Sequence, residues 1–78
     1  MNEQEEDVAV KVEELTLAQI TVAYWRDRVE TSRKLTQTRA CTPEQLCDDL
    51  MNLRRAESAA RVAEIRLQGA KARLRIEK

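Results

Sequence analysis

Histidine and phenylalanine are absent from the 78 residues, and glycine, proline, tryptophan and tyrosine occur once each. Without histidine there is no Ser-His-Asp or Cys-His nucleophile system. A zinc site would have to be assembled from two cysteines and carboxylates, a poor match to the usual Cys/His sets. The scarcity of glycine, proline and aromatics argues against a β-sandwich or barrel, which needs frequent turns and strand-forming side chains. Cys41 and Cys47 are too far apart for a Cys-x-x-Cys pair, and nothing near them supplies further metal ligands. They read as a loop thiol and a semi-buried small apolar side chain, with a redox link between subunits as the alternative. Composition thus argues against an enzyme and gives no reason to expect a metal or a cofactor.

Long apolar runs are missing too. No stretch approaches the roughly 18 consecutive apolar residues of a membrane span, and the chain opens on Asn2 and a run of acids rather than on the basic and apolar segments of a targeting peptide. The expected location is the cytosol, with both thiols reduced.

What the chain has in quantity is charge, 36% of its residues, summing to zero. The zero hides an asymmetry. Residues 1–30 hold eight acids and three bases, a balance of −5, and residues 31–78 hold eleven bases and six acids, a balance of +5. Either a polyanionic partner reads the basic end, or the two ends neutralise one another in the fold.

The only strong punctuation lies near the middle. Thr42 is a good N-cap, Pro43 suits the first helical position, and Gln45 completes a Thr-x-x-Gln capping box. Glu44, Asp48 and Asp49 follow at the positive end of the helix dipole, while Arg73, Arg75 and Lys78 stand at its negative end. One helix is therefore predicted over about residues 7–38, after a frayed acidic leader. A loop follows at 39–42, and a second helix runs over 43–76.

Both helices carry a seven-residue apolar repeat. Val8, Leu15, Val22 and Val29 recur in the first, with Ala18, Trp25 and Ser32 three residues on. Leu46, Leu53, Ala60, Leu67 and Leu74 recur in the second, with Ala56, Ala63 and Ala70 between them. This is coiled-coil spacing. Antiparallel pairing that sets Val29 on Ala56, Trp25 on Ala60, Val22 on Ala63 and Ser32 on Leu53 matches large residues with small ones, as close helix packing requires. The predicted fold is an all-α, antiparallel two-helix hairpin in a single domain, with Trp25 as a core anchor. In it the acidic start lies beside the basic end.

One hairpin buries only one stripe of each helix. Leu17, Ile20, Tyr24, Leu35 and Val10 lie off the seam of the first helix, and Met51, Val62, Ile65, Cys47 and Ile76 lie off the seam of the second. A core of fewer than about 70–80 residues rarely supplies more than about 3–5 kcal/mol without further support. Leaving these side chains in water would forgo much of the available stabilisation. Association is therefore predicted, with a protein partner or as a homodimer, completing a helical bundle. Leu17, Ile20, Tyr24, Leu35, Met51, Val62 and Ile65 are the candidate partner-binding residues. A dimer of swapped long helices opened at residues 39–42 satisfies the same heptads.

Nucleic acid is the alternative partner, contacted by the series Arg54, Arg55, Arg61, Arg66, Lys71, Arg73, Arg75 and Lys78. Glu57, Glu64 and Glu77 interrupt that series, and no helix-turn-helix, basic-zipper or zinc-finger pattern accompanies it. A solvated, internally paired face fits it better. A small regulatory nucleic-acid binder of phage or plasmid type and a purely structural bundle stay open as alternatives.

The hairpin pattern, with Thr42-Pro43-Glu44-Gln45-Leu46 opening the second helix and Ala56-Glu57-Ser58-Ala59 in its middle, resembles the small co-chaperones of type III secretion needle subunits over roughly residues 16–70. The resemblance implies a cytoplasmic protein that uses one hairpin face to help hold a needle subunit unassembled. Leu17, Ile20, Tyr24 and Leu35 would be the implied contacts. The Arg-rich end and the acidic leader have no counterpart in that pattern.

Overall fold

In the computed structural model, which describes residues 2–77 and only the backbone of Glu77, the first helix starts where Asn2 caps it. The Asn2 side chain accepts from the Glu5 N–H at 2.8 Å, and the Glu5 carboxylate accepts from the Asn2 N–H at 3.4 Å, a reciprocal capping box. The acidic leader is thus helical rather than frayed. Glu3, Glu5 and Glu6 complement the positive end of the dipole, and helix α1 spans Glu3–Gln37.

Its end is closed by a Schellman arrangement. The Ala40 N–H donates to the Leu35 carbonyl at 2.8 Å and the Arg39 N–H to the Thr36 carbonyl at 3.1 Å. Arg39, at φ 62°, takes the left-handed conformation usually given to glycine at this position. Helix α2, Pro43–Glu77, begins at the Thr42 box: the Gln45 N–H donates to Thr42 Oγ1 at 3.1 Å, and the Thr42 N–H donates to Gln45 Oε1 at 2.9 Å. Lys78 and Met1 lie outside the described residues.

Two helices of 35 residues each, joined by five, pack along their whole length as an antiparallel hairpin 58 Å long, with no strand among the described residues. The chain's all-α hairpin character is therefore plain. Val22, Val29, Ala56, Ala63, Leu67 and Ala70 are buried, together with Ser32. Val8, Leu15, Ala18, Trp25, Leu46, Leu53, Ala60 and Leu74 are half-buried along the same seam. Trp25, placed on the seam as expected, is half-buried there.

The register differs from the large-on-small pairing read from the heptads. Ser32 Oγ donates to Asp49 Oδ2, and Arg73 Nη2 pairs with Asp7 Oδ2 at 3.3 Å. Residue 32 therefore faces 49 rather than 53, a shift of about one helical turn. The cause is the turn itself: with Gln37 and Pro43 flanking it, the two helices are in step from the loop outwards. Of the ion pairs that cross the hairpin among the described residues, Asp7–Arg73 joins the acidic start to the basic end. Arg26–Glu57 at 3.5 Å and Arg28–Asp49 at 3.7 Å run the opposite way, from α1 bases to α2 acids. The charges along the seam are mixed, and each exposed pair contributes only about 0–1 kcal/mol.

Candidate functional site

Alanines at the seam of both helices leave a hollow on one face of the hairpin. Ala18, Ala56 and Ala63 form part of an open groove of about 680 Å³ whose other lining residues include Leu17, Thr21, Ala59 and Val62, with Glu14 on the α1 side and Arg55 and Arg66 on the α2 side. The physical cause is direct: a methyl group at three seam positions lets the backbones approach but does not fill the space between the helices. A second, smaller hollow, about 400 Å³, continues along α1 past Leu17 over Ala9, Val10 and Glu13. A third, about 290 Å³, lies by the turn among Leu35, Ala40, Cys41, Arg28, Asp48 and Asp49.

The seven candidate partner-binding residues are all exposed: Leu17 at 66%, Ile20 at 61% and Ile65 at 64%, with Tyr24, Leu35, Met51 and Val62 between 41% and 57%. Leu17 and Val62 both line the large groove, and Leu35 lines the hollow by the turn. Ile20, Tyr24, Met51 and Ile65 line none of the three. At 100° per residue, Tyr24 falls on the same row as Val10 and Leu17, while Ile20, Met51 and Ile65 point outward from the seam. Tyr24 packs edge-on against Trp25, ring centroids 5.1 Å apart at 82°. That contact ties the outer row to the seam.

Sequence reasoning did not single out Thr21, Ala59, Ser58 or Glu14 as lining residues, and it read Arg55 and Arg66 only as part of a basic series that could meet nucleic acid; all six line the groove. Thr21 and Ala59 are small and neutral, so only the hairpin's geometry marks them. Thr21 donates its hydroxyl to the Leu17 carbonyl at 3.0 Å and so stays folded onto its own helix, keeping the groove open.

Ser32 and Asp49 were also undervalued. Asp49 accepts from buried Ser32 and faces Arg28, while Thr36 donates to the Ser32 carbonyl at 2.8 Å. This polar bridge fixes the loop end of the hairpin. Both cysteines are free; Cys41 is half-buried, and Cys47 is exposed rather than semi-buried.

Asp7 sits between Lys11 and Arg73 at the open end of the hairpin. Lys11, 3.3 Å away, holds it below the ordinary aspartate range, slight removal from water acts the other way, and Arg73 adds to the lowering. No group of three or more metal-ligating side chains occurs among the described residues, and no helix among them is long and apolar enough to cross a membrane. No known protein family, characterised protein or solved structure matches the chain.

Proposed function

We propose that this chain is a non-catalytic protein–protein interaction module whose groove face holds an apolar helical segment, in the manner of a small cytosolic chaperone or co-chaperone. The observation that carries this reading is the groove between Leu17 and Val62, floored by alanines and continued along α1 by Val10. A helix presenting one apolar stripe fits such a groove with its side chains at i, i+3, i+4 and i+7. Fully burying a Leu or Val adds roughly 1.5–3 kcal/mol, so a partner covering Leu17, Val62 and Tyr24 would supply an amount comparable with the stability of the hairpin itself. The resemblance to needle-subunit co-chaperones makes a secretion-apparatus subunit the first partner to look for.

The test is recovery of complexes formed by the tagged chain in its native host, read by mass spectrometry, beside a Leu17→Asp variant. Leu17 is exposed, so the variant should keep its helicity. The expected result is a small helical protein that co-purifies with the wild type and is lost with the variant. Recovery of nucleic acid that is released by moderate salt, with no protein dependent on Leu17, would replace this reading with the nucleic-acid one.

A further inference from the structure

Resting on the reading of the groove face as an interaction surface, we propose that a second copy of this chain covers it. The two hairpins stack face to face with their loops at opposite ends, α1 crossing α1 of the other copy antiparallel about a two-fold axis beside Thr21. Three observations converge on this occupant.

The groove lies at the middle of the molecule. Its lining spans residues 14–21 of α1 and 55–66 of α2, near Ile20 and Ala60, the central residues of the two helices. A closed, self-complementary contact between copies with opposed loops requires the axis to cross at mid-length if the rods are to overlap end to end. A groove near either end would not serve.

The outer row of α1 is symmetric about the same point. Helical side chains lean roughly one residue toward their own N-terminus, so antiparallel copies meet about a point just after Ile20. Leu17 and Tyr24 lie on either side of that point on one row. Each Leu17 therefore meets the other copy's Tyr24 on both sides of the axis, and Thr21 faces its own counterpart.

Charge follows the same symmetry. Residues 3–20 hold six acids and one base, and residues 21–37 hold four bases and two acids. Residues 43–60 hold four acids and two bases, and residues 61–77 hold five bases and two acids. With opposed loops, every helix half lies beside halves of opposite net charge, within the hairpin and across the interface, while at the groove itself Arg55 of each copy faces Arg66 of the other. Placing both loops at one end would set α1 against α2 of the other copy with the signs still alternating, but would lose the Leu17–Tyr24 apposition, so the apolar row rather than the charge sets the orientation. The broad face, 58 by 16 Å, matches the roughly 800 Å² per partner of a standard stable interface.

The purified full chain tests this by sedimentation equilibrium and by cysteine cross-linking. The expected mass at high micromolar concentration is twice the 9.0 kDa of the chain, falling to the single-chain mass in Leu17→Asp with the helical circular dichroism retained. In a Cys41→Ser, Cys47→Ser background, Thr21→Cys should oxidise to a covalent dimer, whereas Arg33→Cys should not. A chain that stays at 9.0 kDa, a dimer indifferent to Leu17→Asp, or a dimer linked through Arg33→Cys and not Thr21→Cys overturns the proposal. If the monomer still takes up a different protein through Leu17, the second copy is excluded while the interaction reading stands; if neither self nor partner depends on Leu17, both fail.

Discussion

Arg39 holds a backbone conformation that most side chains avoid, because its left-handed φ is what lets the Ala40 and Arg39 amides reach back to the last carbonyls of α1. A non-glycine residue in that region costs about 1–2 kcal/mol, and glycine gives back roughly 0.5–1 kcal/mol of that through the greater freedom of the unfolded chain. Arg39→Gly should therefore raise stability by about 0.5 kcal/mol, a gain of a few degrees in the midpoint of a thermal melt followed by circular dichroism. Asp7 offers a second test at this scale. Its folded-state pKa is depressed, so its contribution is present above the ordinary aspartate pKa of 3.8 and is lost as the pH falls from there through the folded value. Asp7→Asn should unfold more easily than the wild type at neutral pH, and urea titrations of the two should converge once the solution is acid enough to protonate the native carboxyl.

At the scale of the helix, the signals that end and begin elements were mostly legible, and those that set elements against one another were not. The Thr42–Gln45 box and Pro43 are local chemistry, readable from four residues. The Asn2–Glu5 box is the same kind of signal, hidden because a run of acids beside a terminus suggests solvation rather than capping. The seam residues were legible as a set, since burial follows the seven-residue period. Their register was not, because a heptad pattern matches itself after sliding and the deciding constraint is the five-residue turn. The Ser32–Asp49 bridge marks the true register, and one mutation tests it. Ser32→Ala should cost about 1–2 kcal/mol in urea unfolding, since it leaves a largely covered Asp49 carboxylate without its hydroxyl donor. If residue 32 faced Leu53 instead, the same change would be nearly neutral.

At the scale of the whole molecule, stability and recognition draw on the same alanines, and the groove is legible only once the helices are placed. Ala63 and Ala59 both line it, one turn apart on α2, yet Ala63 is 7% exposed and Ala59 faces solvent. Enlarging Ala63 forces extra methyl groups into the seam, where overpacking typically costs about 1–3 kcal/mol. Enlarging Ala59 places the same atoms in the open groove, where nothing in the hairpin opposes them. Ala63→Leu should therefore lower the melting temperature of the isolated chain. Ala59→Leu should leave that temperature within a degree or two and instead fill the groove, weakening whatever helix it receives. A thermal melt paired with a binding or self-association measurement on each variant separates the two roles. If Ala59→Leu leaves association untouched, the groove is only a by-product of close packing between the helices.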